Sequence, residues 1–197
     1  MMLIEKLNEY RIILASKSPR RQLLLREAGI CFEVMESDTG EDFPDGLKSY
    51  KIPLYLSQKK ADALNIDFDE KTLLITADTI VWINGRVINK PTDRDEAISM
   101  LKTLSGRMHE VFTGVTLRSK YKSKTFYVKS KVYFRKLKTD EIVYYVDTFK
   151  PFDKAGAYGI QEWIGYIAIR KIEGSFYNVM GLPITRLYDE LERFIQH

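Results

Sequence analysis

A strand, a polar turn and a helix follow one another closely near the start of the chain. The apolar run Ile12-Ile13-Leu14-Ala15 predicts a short buried strand. Ser18 and Pro19 then predict a helix start, because serine is a good N-cap and proline suits the first helical position. Gly29 stands where a helix-ending glycine belongs. The helix start offers backbone amides and a dipole to an anion, and phosphate is the natural candidate.

Strand and helix patterns are mixed along the rest of the chain. The pattern predicts a layered α/β or α+β fold with a mixed sheet. The dipeptide Asn84-Gly85 predicts a tight hairpin turn. We expect helices at 50–64, 92–104 capped by Thr92, 139–148 capped by Thr139, and from Pro183 onward. We expect strands at 32–36, 72–77, 79–83, 86–88, 109–118, 125–137 and 163–172, with a loop at 37–46.

Length and composition favour one soluble domain. The 197 residues carry 31 basic and 27 acidic side chains, and this mild net charge of +4 is spread rather than clustered, unlike that of most nucleic-acid-binding proteins. The single cysteine, Cys31, excludes an intrachain disulfide and a cysteine-rich metal site, and we expect it to be buried. No apolar run approaches the ~18 residues that span a bilayer, and no signal-peptide core is present. We expect a cytoplasmic protein that binds neither nucleic acid nor membrane.

Several polar clusters at predicted strand ends are candidates for chemistry. Asp78 follows an apolar strand, where it is either a turn residue, a metal ligand or a base that orients water. Lys60 and Lys90 are either solvated or placed beside phosphates. Gln161 ends a stretch of small residues that permits close approach of a flat ligand. A further cluster lies at the predicted helix start and is equally consistent with phosphate binding and with a capped surface helix. Its members are Ser16, Lys17, Ser18, Arg20 and Arg21.

Other functional classes have little support. His109 is the one internal histidine, and no nucleophile elbow accompanies it, so we expect a structural role. The chain contains neither a P-loop nor a Rossmann glycine motif.

Taken together and in order, these clusters resemble the Maf family of nucleoside triphosphate pyrophosphatases. The resemblance covers roughly residues 11 to 195, and residues 1–10 look like a short extension of a single domain, 1–197. The loop at 37–46 departs most from the family pattern. The matching motifs are Leu14-Ala15-Ser16-x-Ser18-Pro19-Arg20-Arg21, Ala77-Asp78-Thr79, Lys90-Pro91, Leu104-Ser105-Gly106-Arg107-x-His109, Thr113-Gly114-Val115, Asp153-Lys154-Ala155-Gly156-Ala157-Tyr158-Gly159-Ile160-Gln161 and Gly181-Leu182-Pro183.

The resemblance implies a mixed, twisted sheet with flanking helices in two lobes around a central cleft. It implies hydrolysis of nucleoside triphosphates, most of all dTTP and UTP, to the monophosphate and pyrophosphate, with a divalent cation, Mg²⁺ or Mn²⁺, and a possible homodimer. Asp78 corresponds to the catalytic acid or base. The positions that set base specificity correspond to Arg20, Thr79 and Gln161.

The same reasoning assigns the phosphates and the metal. We expect Ser16, Lys17, Ser18, Arg21, Lys60 and Lys90 to bind the phosphates, whose charge the lysines, Arg21 and the helix start offset. The metal is held partly by Glu41 or Asp78, because Glu41 is the best match for the family's acidic loop residue. Glu36, Asp38 and Asp42 are weaker candidates for that position.

Two alternatives stay open at this point. One is a pyrophosphatase for inosine, xanthosine or other modified triphosphates. The other is a non-enzymatic nucleotide-binding regulator connected with septum formation, which would need the basic pocket but not the two carboxylates.

Overall fold

The computed structural model describes residues 2–36 and 39–196. Within them, seven strands form one mixed sheet flanked by helices, as the sequence predicts. The strands are β1 (Arg11–Ala15), β2 (Glu33–Met35), β3 (Thr72–Ile83), β4 (Arg86–Ile88), β5 (Met108–Arg118), β6 (Ser123–Phe134) and β7 (Ile169–Glu173). The helices are α1 (Leu3–Leu7), α2 (Pro19–Glu27), α3 (Lys51–Asp62), α4 (Arg94–Leu104), α5 (Thr139–Phe149), α6 (Trp163–Ala168), α7 (Phe176–Met180) and α8 (Ile184–Gln196), with a 3₁₀ turn at Ala155–Ala157.

The sheet has the order β2-β1-β3-β5-β6-β7, and β4 pairs with the far end of β3. β1 is parallel to β2 and β3, and the remaining pairs are antiparallel. β3 pairs with β5 along most of its length. On its other edge, β3 pairs with β1 only at 72–76 and with β4 only at 81–83. Residues 77–80 of β3 therefore face a gap between β1 and β4.

The two faces of the sheet carry different layers. Alternate side chains of β3 point to opposite faces, so Leu74 and Ile80 meet α3, whereas Ile75 and Val81 join the main core. That main core also takes buried side chains from α2, α4, α5 and α8. Within the described residues, no helix combines the length and apolar character that crossing a bilayer requires.

Several sequence predictions were wrong in detail. The predicted strand at 163–172 is α6 followed by β7, because a short apolar run is equally compatible with a buried helix. The predicted strands at 72–77 and 79–83 form one continuous strand. Residues 176–180 form α7, where the sequence favours a turn or a loop that enters the final helix. Cys31 is exposed rather than buried.

The helix caps differ as well. Ser18 precedes α2 as predicted, but its side chain makes no capping bond. Asp93 rather than Thr92 caps α4, because its carboxylate accepts a hydrogen bond from the backbone of Glu96. Lys138 rather than Thr139 precedes α5.

The N-terminal segment contributes to the core through α1. Leu3 and Leu7 of α1 are 4% and 2% exposed and belong to the main core. Truncation of this segment would therefore expose apolar surface.

His109 is structural, as predicted. Its Nε2 lies 2.8 Å from the hydroxyl of Tyr158, and its ring packs edge-on against Phe134. Burial lowers the pKa of His109 to about 3, so the imidazole is neutral in the core.

Candidate active site

A cleft of about 330 Å³ opens at the gap between β1 and β4. Asp78 and Thr79 lie on the part of β3 that faces this gap. The turn from β1 to α2 forms one wall, and the segment 153–161 contributes another. The eleven residues that the sequence ranks first for a role in the site all line the cleft: Ser16, Lys17, Ser18, Arg20, Arg21, Glu41, Lys60, Asp78, Thr79, Lys90 and Gln161. The structure brings them together, and their individual roles stay predictions.

Asp78 is a buried carboxylate held by one lysine. It is 5% exposed, and Lys60 Nζ lies 2.5 Å from its Oδ1. Gly114 is the register partner of Asp78 on β5, and a Cβ there would lie 2.2 Å from the carbonyl oxygen of Pro53 in α3. Because Gly114 has no side chain, the backbone of α3 can pack directly against the sheet at this position. That close packing brings Lys60 to Asp78.

Arg21 connects α2, on one side of the cleft, to β3. Its guanidinium donates to the carbonyl oxygen of Gly181 at 2.8 Å, to Oγ1 of Thr79 at 3.1 Å and to Oγ of Ser16 at 3.3 Å. Burial lowers the pKa of Arg21, whereas the charge of Asp78 raises it. Arginine remains protonated under such conditions. Its hydrogen bonds go to neutral oxygens, so its positive charge is available to an anion in the cleft.

Arg20 and Lys17 are each paired with an acidic side chain. Arg20 donates to Oδ2 of Asp153 at 2.9 Å, which links α2 to the opposite wall. Lys17 Nζ lies 2.9 Å from Oε2 of Glu36. Both side chains line the cleft, and Arg20 reaches the segment that carries Gln161.

Glu41 enters the cleft from the loop after β2. Its carboxylate accepts a hydrogen bond from Lys90. Burial raises the pKa of Glu41, but the hydrogen bond from Lys90 and the charges of Lys90, Lys60 and Arg21 outweigh burial and lower it overall. Glu41 is therefore ionised at neutral pH and lies near the same cations as Asp78.

The other acidic candidates of this loop have different partners. Asp42 accepts from Lys59 at 2.8 Å, and Lys59 also donates to the carbonyl oxygen of Gly40 at 3.1 Å, which holds the loop on α3. Glu36 pairs with Lys17. Asp38 lies outside the described residues.

Gln161 lines the cleft and carries a hydrogen-bond acceptor without a partner among the described residues. This acceptor is its buried Oε1. A buried amide oxygen without a partner costs free energy unless a ligand supplies a donor. This atom is a candidate contact for an N–H group of a bound base.

Two carboxylates are available for a divalent cation. In the described part of the chain, no group of three or more His, Cys, Asp and Glu side chains could hold a metal. Mg²⁺ is commonly bound by one or two carboxylates together with substrate phosphates and water. Glu41 and Asp78 fit that pattern, because each is an oxygen donor that lines the cleft.

Sequence reasoning missed the residues that support the Gln161 segment. Lys154 and Glu162 form a buried ion pair of 3.1 Å, and the hydroxyl of Tyr145 in α5 donates to Glu162. Lys154 belongs to the motif 153–161, but its residue type alone indicates no role there. Tyr145 had no sequence signal, because a tyrosine on an amphipathic helix normally indicates core packing.

The chain is similar to several known proteins. A family model described as "Maf-like protein" matches residues 11–194. A dTTP/UTP pyrophosphatase of Parabacteroides distasonis is 52% identical over 98% of this chain and 100% of that protein. Proteins of the same name are 51% identical in Porphyromonas gingivalis (98% of both chains) and 50% identical in Bacteroides thetaiotaomicron (97% of this chain, 100% of the relative). The solved Ham1 protein of Staphylococcus aureus aligns with 93% of this chain and 99% of its own, at 17% identity and a TM-score of 0.45.

Proposed function

The chain belongs to the Maf-like family, and on that basis we propose that it hydrolyses dTTP and UTP to the nucleoside monophosphate and pyrophosphate. One observation carries the proposal: a single cleft holds a buried carboxylate among cations and, separately, an unpartnered amide oxygen. The first arrangement suits phosphoryl chemistry, and the second suits recognition of a base.

The uneven distribution of charge along the cleft favours one orientation of a bound nucleotide. Arg21, Lys60 and Lys90 surround Asp78 and Glu41, and this region attracts a triphosphate of about four negative charges. At the Gln161 segment, Arg20 and Lys154 are balanced by Asp153 and Glu162. A neutral base suits that balanced region better than a phosphate does.

Glu41 and Asp78 would hold a divalent cation, Mg²⁺ or Mn²⁺, together with substrate phosphates. When bound, such a cation neutralises phosphate oxygens and the charge that develops on the leaving group. The two lysines that now contact these carboxylates can contact phosphate oxygens instead.

Asp78 orients the attacking water and accepts its proton at a carboxylate oxygen. The water oxygen forms a bond to the α-phosphorus, and the bond from that phosphorus to the oxygen bridging to the β-phosphorus breaks, which releases pyrophosphate. Burial beside Lys60 fixes the position of the carboxylate before substrate arrives. Lys60 and Arg21 offset the charge of the leaving group.

Gln161 contacts the edge of the pyrimidine. Its Oε1 accepts from the N3–H of uracil or thymine, and its amide nitrogen donates to a ring carbonyl. Because an amide can also rotate to suit cytosine, Gln161 alone does not select the base. Arg20 and Thr79 complete the selection by setting the position of the base.

A screen of pyrophosphate release tests the function. The purified protein is incubated with Mg²⁺ or Mn²⁺ and each common and modified triphosphate, an inorganic pyrophosphatase is added, and phosphate is measured colorimetrically. We expect the largest kcat/KM for dTTP and UTP. A preference for inosine or xanthosine triphosphate would replace the substrate assignment, and no release from any triphosphate would indicate a binding protein. Cell fractionation and light scattering test the accompanying proposals of a cytoplasmic location and a homodimer.

A further inference from the structure

The segment that carries Gln161 is held from several sides. The backbone N–H of Gly159 donates to the hydroxyl of Tyr145 at 3.0 Å, and that hydroxyl donates to Oε2 of Glu162. A single tyrosine of α5 therefore contacts the residue two before Gln161 and the residue directly after it. Burial raises the pKa of Tyr145, with a further contribution from Glu162, so the hydroxyl keeps its proton.

Close backbone packing completes the support. A Cβ on Gly165 would lie 1.8 Å from the carbonyl oxygen of Ile160, so only glycine allows α6 to approach the segment there. The N–H of Gly165 also donates to the carbonyl oxygen of Glu162 at 2.8 Å. The backbone on both sides of Gln161 is thereby fixed.

A chain of charges continues from this segment to the opposite wall. Oε1 of Glu162 lies 3.1 Å from Lys154 Nζ, which lies 2.6 Å from Oδ1 of Asp153, whose Oδ2 accepts from Arg20 at 2.9 Å. Lys154 is 8% exposed, so its charge requires both partners. Breaking the link at Glu162 would leave a buried lysine with Asp153 alone.

We propose that Tyr145 and Glu162 are positioning residues for base selection: they hold Gln161 and, through Lys154 and Asp153, Arg20 in the relative placement that distinguishes uracil and thymine from cytosine. Neither residue lines the cleft, so neither contacts the base. This inference rests on the proposed function in one respect, which is that Gln161 contacts the base.

The test compares discrimination ratios rather than activity alone. Tyr145→Phe removes the hydroxyl without changing the ring. We expect the ratio of kcat/KM for dTTP to that for dCTP to fall roughly fivefold to tenfold, the scale of one or two lost hydrogen bonds, mainly through a higher KM for dTTP. Tyr144→Phe is the matched control, because Tyr144 is the neighbouring tyrosine of α5, is 50% exposed and makes a ring contact with Trp163 that phenylalanine keeps. It should leave the ratio unchanged.

A double-mutant cycle separates positioning from a general structural effect. In the Gln161→Ala background, Tyr145→Phe should lower the ratio by less than it does in the wild-type protein, because the part of its effect that passes through Gln161 is already lost. An equal fall in that background would overturn the inference.

Glu162→Gln provides a second variant that keeps side-chain volume and breaks the ion pair with Lys154. If Tyr145→Phe does not fold, this variant decides, and an unchanged ratio in it overturns the inference.

Binding measurements keep this inference distinct from the proposed function. The affinities of the α,β-imido analogues of dUTP and dCTP, measured by calorimetry, give a ratio of discrimination between uracil and cytosine that does not depend on turnover. A protein that discriminates between the analogues through this network but releases no pyrophosphate would refute the hydrolase and retain the positioning role. A protein that hydrolyses dTTP but whose ratio is unchanged in Tyr145→Phe and Glu162→Gln would support the hydrolase and refute the positioning role.

Discussion

The carboxylate of Asp78 occupies a position that a purely structural aspartate would avoid. It is almost fully buried, and transfer of an ionised carboxylate into such a site is costly unless a cation and hydrogen bonds compensate. Lys60 supplies a cation, but one ion pair in a dry interior is often neutral for stability or worse. The placement is better explained by chemistry than by stability.

Replacement of Asp78 by asparagine should abolish turnover and preserve the fold. The amide keeps the shape of the side chain but accepts no proton, so we expect kcat to fall by a factor of about 10³ or more. Circular dichroism should show an unchanged fold. Asp147→Asn is the control, since Asp147 also forms an ion pair, with Arg94, but lies outside the cleft lining. Near-normal pyrophosphate release by Asp78→Asn would rule out the assigned role.

Replacement of Gln161 by alanine should affect the choice of base more than the chemistry. The variant loses the amide that contacts the pyrimidine edge, so we expect the preference for dTTP over dCTP to shrink about tenfold. The metal concentration for half-maximal activity should stay the same, because Glu41 and Asp78 are untouched. An unchanged ranking of substrates would exclude Gln161 from base recognition.

At the scale of elements, the contact between α3 and β5 depends on one glycine. Gly114→Ala would place a Cβ 2.2 Å from the Pro53 carbonyl oxygen and 2.7 Å from the Leu54 backbone nitrogen, and neither atom can move without α3. We expect a loss of about 3 kcal/mol or more in the free energy of unfolding, measured with urea. Lys60 would also move away from Asp78, so activity should fall further than stability alone explains.

Gly40→Ala is the matched control for this steric argument. Its Cβ would meet Oδ1 of Asp42, the end of a flexible side chain that can rotate away. We expect a change below about 1 kcal/mol. Equal destabilisation by both substitutions would show that loss of glycine flexibility, rather than the helix contact, is responsible.

The start of α5 depends on Glu141. Its carboxylate accepts two hydrogen bonds from Arg135 and one from the backbone of Lys138, and these contacts lower its pKa from 4.5 to about 2. A lowered native pKa means that the stabilisation is complete above pH 4.5 and is lost as pH falls toward 2. Glu141→Gln should therefore cost about 1 to 2 kcal/mol at pH 7, and the difference from wild type should shrink below pH 4.5.

Urea unfolding at a series of pH values measures this difference. Glu192→Gln, an exposed substitution of the same kind on α8, should leave the free energy of unfolding nearly unchanged throughout. A difference for Glu141→Gln that stays constant down to pH 2.5 would contradict the ionic origin of the stabilisation.

Sequence patterns predicted the elements whose signals are local. Alternating β5 and β6, the Asn84-Gly85 hairpin and the Pro19 helix start are confirmed, because periodicity, turn chemistry and helix-start chemistry each act within a few residues. α6 was predicted as a strand because its helical form depends on packing against Ile160, which is not visible in a short apolar run. The residues of the cleft were found through motifs, whereas Tyr145 was not, since its role depends on a contact across the fold.

At the scale of the whole molecule, the cleft joins segments that are far apart in the chain. Its lining comes from the β1–α2 turn, the loop around Glu41, α3, β3, and the stretch near Gln161. Direct bonds across the cleft include Arg20 to Asp153 and Arg21 to Gly181. A nucleotide that contacts both ends would add cross-links that the free protein lacks.

Nucleotide and metal together should therefore stabilise the protein against heat. A ligand at a hundred times its Kd contributes about 2.7 kcal/mol, which for a domain of this length corresponds to a rise in Tm of roughly 5–10 °C. We expect α,β-imido dUTP with Mg²⁺ to give that rise in differential scanning fluorimetry.

Without a divalent cation, the triphosphate faces the unscreened carboxylates of Asp78 and Glu41, so the rise in Tm should be much smaller. Pyrophosphate with Mg²⁺ should give an intermediate rise. If the analogue raised Tm equally in EDTA, neither carboxylate would be acting through a metal, and the arrangement of the phosphate end would have to be reassigned to Lys60, Lys90 and Arg21 alone.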